Sequence, residues 1–132
     1  LIAGLLAAEM TAKTGQLPSQ VFAGIVARTG RTWYARSDNP AASALRKKIA
    51  ALGPDDIQAG ELAGSPITAK LTRAPGNGAA IGGLKLATKD GWIAVRPSGT
   101  EEIYKIYAES FVSEEHLKLL QADGRRIADG VV

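Results

Sequence analysis

Cysteine is absent from this chain of 132 residues, and histidine occurs once. Without cysteine there is no disulfide framework and no thiolate chemistry, which fits a reducing cytoplasm. With His116 alone, neither a histidine-rich metal site nor a Ser-His-Asp set can be assembled. Aromatic residues make up only 5%, and Trp33, Tyr34, Trp92, Tyr104 and Tyr107 are too scattered for a base-stacking platform. The net charge of +3 is mild and falls short of the basic patch of a nucleic-acid binder. No apolar run approaches the roughly 20 residues that span a bilayer. The stretch Leu1-Ile2-Ala3-Gly4-Leu5-Leu6 lacks the basic flank of a signal peptide and is followed by Glu9. Neither nucleic acid nor membrane is therefore expected as a partner. There is no initiating Met, so the chain reads as part of something longer. What is present is ordinary for a globular protein, 45% apolar and 22% charged, in a length that holds one compact domain and a piece of a neighbour.

Residues 1–14 are rich in Ala and Leu, and Gly15 ends them as a helix C-cap. Pro18 opens a second helix with Val21, Phe22, Ile25 and Val26 on one face and Gly30 past its end. The segment from Trp33 to Asp38 reads as a short strand or connector. Asn39-Pro40 reads as the N-cap and first residue of a helix from about Ala41 to Leu52, stopped by Gly53-Pro54. Residues 55–66 read as loop. Alternation then marks strands at Ile67–Thr72, Leu84–Thr88, Trp92–Arg96 and Ile103–Glu109. Lys89-Asp90-Gly91 reads as a hairpin turn with Gly91 at positive φ. Ser113 caps a last helix whose apolar face is Leu117, Leu120, Ile127 and Val131. The expected fold is α+β: a small, largely antiparallel four-stranded sheet with helices packed on one face, preceded by a helical tail of the previous domain.

The chemistry concentrates in Arg96-Pro97-Ser98-Gly99-Thr100-Glu101, between the third and fourth strands, with Lys105 on the strand that follows. A guanidinium offers a bidentate fork, the hydroxyls of Ser98 and Thr100 are short donors, and Gly99 leaves its backbone N–H sterically open. Such a set grips a phosphate and performs no chemistry on it. Other features carry less. The glycine-rich stretch Gly76–Gly83 fails as a dinucleotide fingerprint because Ile81 stands at the third glycine position, and it lacks the Lys-Ser/Thr pair of a P-loop. It reads as a flexible connection between strands. Arg46-Lys47-Lys48 reads as the wet face of a helix and His116 as a surface residue. Asp55-Asp56 and Glu101-Glu102 are adjacent pairs rather than metal cages, although the latter can pair with nearby cations.

These residues carry a resemblance. Asp90-Gly91-Trp92, Arg96-Pro97-Ser98-Gly99-Thr100-Glu101, Tyr104-Lys105-Ile106-Tyr107 and Glu109-Ser110-Phe111 closely resemble the C-terminal domain of the α-D-phosphohexomutases, nearest to the bacterial phosphoglucomutases that use glucose 1,6-bisphosphate. Leu62–Thr72 and Ala74–Ala79 support it, and Leu5–Ala12 looks like the closing helix of that family's third domain. The resemblance implies a division at residues 1–36, the tail of the third domain, and 37–132, the C-terminal phosphate-binding domain. It implies a full-length enzyme in which a phosphoserine donates to the hexose phosphate, Mg²⁺ stabilises the transfer, and glucose 1,6-bisphosphate is the intermediate. In that scheme Arg96, Ser98, Gly99, Thr100 and Lys105 clamp the phosphate not being transferred, and closure of the domain pivots near Arg36 to Asn39. The phosphoserine, metal and sugar-reading loops lie outside this chain, so by itself it is expected to hold no catalytic residue, bind neither cofactor and be inactive. A stand-alone anion- or nucleic-acid-binding module is the rival from another class. A mutase acting on mannose or glucosamine phosphates is the rival within this one.

Overall fold

The computed structural model of the chain describes residues 1–130, so Val131, one of the expected apolar positions of the last helix, lies outside the described residues. The chain divides into two compact units, residues 1–31 and residues 32 onward. The first unit is a helical pair, α1 (Ile2–Thr14) and α2 (Pro18–Thr29). Gly15 ends α1 in the left-handed conformation at φ 69°, with its N–H bonded to the Thr11 carbonyl. The side chain of Gln20 accepts the Leu17 N–H at 2.7 Å and ties down the start of α2. Neither helix contains a buried residue.

The second unit is α+β. Its five-stranded antiparallel sheet runs in the order β1 (Trp33–Pro40), β7 (Ile103–Ser110), β6 (Gly91–Pro97), β5 (Ala80–Ala87), β4 (Ala69–Arg73). A separate two-residue pair, β2 (Glu61–Leu62) with β3 (Ser65–Pro66), lies within the segment read as loop, after a single 3₁₀ turn at Pro54–Asp56. Two helices, α3 (Ser43–Ala51) and α4 (Glu114–Asp129), cover one face of the sheet. Ile49 of α3 and Leu117, Leu120 and Ile127 of α4 close over Leu84, Leu86, Ile93, Val95 and Ile106 in one core. Ser113 caps α4 by accepting the His116 N–H at 3.1 Å.

Five expectations need correction. The sheet has five strands rather than four, because the segment from Trp33 is an edge strand paired with β7 along its whole length, from Trp33 opposite Ser110 to Pro40 opposite Ile103. Asn39 and Pro40 therefore close a strand instead of opening a helix. Pro is tolerated on an edge, where no ladder N–H is needed of it, and α3 begins later, at Ser43, with Ala42 at its N-cap and no side-chain cap. Arg36–Asn39 lie inside that same ladder, so they form no loose connector on which a domain could pivot. Finally, β5 begins at Ala80, taking in glycines read as a flexible link, and Gly91 is not among the glycines at positive φ. Gly91 is needed for close approach: a Cβ there would lie 2.5 Å from the Glu109 carbonyl oxygen and 2.8 Å from Leu120 Cδ1.

Candidate anion site

The alternation of the strands sorts the chemistry onto the face away from the helices. On β7, Tyr104, Ile106, Ala108 and Ser110 are buried while Ile103, Lys105, Tyr107 and Glu109 are half-buried on the opposite face. On β6, Ile93 and Val95 face the core and Arg96 is exposed. Burial, reinforced by the Asp129 carboxylate and opposed by Arg125, pushes the Tyr104 phenol above its ordinary pKa.

The register places Arg96 directly opposite Lys105. Residues 98–102 connect the two strands at this end, and the Ser98 N–H closes the connection on the Ile103 carbonyl at 2.9 Å. The expected clamp residues are thus brought to one corner of the sheet: Arg96 and Lys105 as facing cations, with Ser98, Gly99 and Thr100 in the loop beside them. Two like charges opposite one another repel unless an anion lies between them. Lys105 is partly offset, because its ammonium lies 3.3 Å from a Glu101 carboxylate oxygen. That same oxygen accepts the Ser98 hydroxyl at 3.4 Å. The neighbouring edge-strand cation is also satisfied: Arg36 pairs with Asp38 through Nε at 3.1 Å and Nη2 at 3.2 Å. Arg96 forms no such pair among the described residues, and no acceptor is found there for the Gly99 or Thr100 N–H.

Behind Arg96 the open face carries a pocket of about 450 Å³, with Lys85, Trp92, Tyr107 and Ile81 among its walls. The Lys85 ammonium sits over the Trp92 ring, 4.2 Å from its centroid. The indole N–H in turn donates to Glu109 at 2.9 Å. These contacts hold Trp92 in place in the wall of the pocket that Arg96 also lines.

Three features of the site region escape a reading of the sequence. Gly82 and Gly83 clear the ground beneath Arg96: a Cβ at Gly83 would overlap the Val95 carbonyl oxygen and lie 2.9 Å from Arg96 Cγ, and one at Gly82 would lie 3.6 Å from Arg96 Nη2. Arg46 is not a wet helix residue. It reaches from α3 to the loop, donating to the carbonyls of Glu101 at 3.1 Å and Ser98 at 3.4 Å. Nor is His116 a free surface side chain, since its Nδ1 lies 2.8 Å from the Ser110 hydroxyl and its Nε2 is buried without a partner. The glycine pair carried a weak signal in its position ahead of a strand; the other two carried none. Among the described residues no group of three or more His, Asp or Glu side chains converges as a metal ion requires. No described helix is long and apolar enough to cross a membrane.

Across 125 residues, 95% of its length, the chain is 53% identical to a phosphoglucomutase from Komagataeibacter xylinus. It spans only 22% of that relative's length. The sequence profile of the phosphoglucomutase/phosphomannomutase C-terminal domain matches residues 37–127, which contain both facing cations and the loop between them. The chain accordingly belongs to the phosphoglucomutase/phosphomannomutase family, and those residues are its C-terminal domain.

Proposed function

We propose that this domain is the phosphate clamp of a phosphoglucomutase that interconverts glucose 1-phosphate and glucose 6-phosphate. The observation that carries the reading is the pair Arg96 and Lys105, opposite one another at the mouth of a loop whose Gly99 and Thr100 N–H groups have no acceptor among the described residues. An anion placed between the two cations removes their repulsion and accepts from the guanidinium fork and the open loop donors together. A phosphate has the charge and the oxygen count for this set. It would displace the Glu101 carboxylate from Lys105 and Ser98, an exchange of one anion for another on the same donors.

In the full-length enzyme a phosphoserine elsewhere in the chain passes its phosphoryl group to the sugar phosphate, with Mg²⁺ held by residues outside the present segment. The resulting glucose 1,6-bisphosphate reorients and returns its other phosphoryl group to the serine. The task of this domain is to hold whichever phosphate is idle. Binding energy gained there is spent on positioning the reacting end, and each charge-assisted hydrogen bond contributes about 1.5–3 kcal/mol. Alone, the segment lacks the phosphoryl donor and turns over nothing. The test is Arg96→Ala in the full-length protein. Loss of two such bonds lowers kcat/KM at least ~100-fold with an unchanged circular dichroism spectrum. A folded variant with unaltered kinetics sinks the clamp. Because the family embraces phosphomannomutases, mannose 1-phosphate belongs beside glucose 1-phosphate in the same assay.

A further inference from the structure

Arg46 is held in a way that a solvated lysine-like side chain is not. It is half-buried, and its Nε is buried with no partner among the described residues. The other end of the guanidinium donates through one nitrogen to two carbonyls of the loop, Glu101 at 3.1 Å and Ser98 at 3.4 Å. Just ahead of α3, the Ala41 N–H takes a third, the Glu102 carbonyl, at 2.9 Å. Two of the loop's carbonyls thus turn towards the helix, and a third is held by the chain leading from β1 into it.

Peptide planarity gives this a consequence. In a trans peptide the C=O of one residue and the N–H of the next point to opposite sides, and no cis peptide occurs among the described residues. Drawing the Ser98 carbonyl towards Arg46 therefore turns the Gly99 N–H away from α3. That N–H has no acceptor among the described residues. Gly99 has no side chain to hold its own peptide in place, and a Cβ there would meet nothing within 4 Å. The orientation of its peptide must be imposed from outside, and Arg46 is the side chain in contact with it.

We infer that Arg46 is a positioning residue of the anion site: by holding the Ser98 and Glu101 carbonyls on the helix side, it aims the Gly99 N–H at the phosphate that Arg96 and Lys105 receive. It touches no substrate and acts through the loop. A second effect follows from its lack of a carboxylate partner among the ion pairs of the described residues. Its charge stays uncompensated beneath the loop and adds to the attraction for an anion above it. The inference rests on the clamp reading and goes beyond it by naming what keeps the loop in its binding form.

The test compares Arg46→Ala, Arg46→Lys and Arg96→Ala in the full-length protein, by steady-state kinetics with glucose 1-phosphate and by calorimetric Tm. Arg46→Ala is expected to lower kcat/KM about 10- to 100-fold, the loss of one well-aimed charge-assisted bond, and added methylguanidinium is expected to recover part of it. Arg46→Lys, which keeps the charge but not the planar fork, is expected to recover less than half of that loss. If Arg96→Ala is crippled while both Arg46 variants match the parent, the clamp stands and the role of Arg46 is overturned. Its role is also overturned if the loss in Arg46→Ala follows a fall in Tm and methylguanidinium restores nothing. Should Arg46→Ala fail to fold, Arg46→Lys decides alone, and parental kinetics in it refute the inference. If no variant at either position changes the kinetics, the clamp reading itself fails.

Discussion

Arg96 is useful only because residues distant in sequence make room for it. Its stem lies across Gly82 and Gly83, where β5 passes beside β6, and any side chain at residue 83 would invade both the Val95 carbonyl and Arg96 Cγ. Gly83→Ala is accordingly expected to cost about 1–3 kcal/mol, the usual range for overpacking, and to lower kcat/KM of the full-length enzyme by displacing the guanidinium. Urea denaturation alongside kinetics would check both; an unshifted midpoint would mean that the two strands part easily at this point. The proposed clamp residues could be picked out from the sequence because they are contiguous and chemically convergent: Arg96, Ser98, Gly99 and Thr100 fall within one turn of chain, and the strand period returns Lys105 beside them. The residues that support them could not. Gly83 and Arg46 have meaning only through what stands against them, in the latter case carbonyls 52 and 55 positions away. Periodicity of α3 alone marks Arg46 as polar and says nothing of what it reaches.

The elements differ in how openly the chain declares them. Helix α4 has a cap at Ser113, acids in its first turn and an apolar face of Leu117, Leu120 and Ile127, all agreeing with one another, and it forms where expected. Strand β1 has no such agreement. Trp33-Tyr34-Ala35-Arg36-Ser37-Asp38-Asn39-Pro40 ends in a dipeptide with strong helix-start chemistry, and only pairing with β7 draws it into the sheet. Tertiary context overrode local preference there. Within α4, Gly124 shows the same rule from the other side. A helix-interior glycine replaced by alanine ordinarily gains about 1 kcal/mol. Here the new methyl would lie 2.9 Å from Ile106 Cγ2, on a β-branched side chain of a central strand that is itself fully buried. Gly124→Ala is therefore expected to lower Tm by several degrees, the opposite of the propensity expectation, and differential scanning calorimetry would give the sign directly.

At the scale of the whole molecule the two units are unequal. All the buried core residues belong to the unit that begins at Thr32, whereas Leu5, Leu6, Phe22 and Ile25 of the helical pair are exposed. Helices of 13 and 12 residues with nothing buried fall at the margin of stability in water. Residues 32–132 expressed alone are thus expected to unfold cooperatively on heating, and residues 1–31 alone to show little helical signal by circular dichroism. A helical spectrum from the short piece would contradict this. The line between units was legible as a change from helix to strand chemistry, and residues 33–36, placed with the tail, pair with β7. That pairing bears on how the molecule avoids sticking to itself. With β1 in place, the sheet ends on a strand whose outer edge carries a proline and a bonded Arg36–Asp38 pair, both poor templates for a foreign strand. Cleavage at residue 37 would instead bare half of β7, an alternating strand, with its amide groups open to the next copy, so a protein trimmed there trades a guarded border for a self-complementary one.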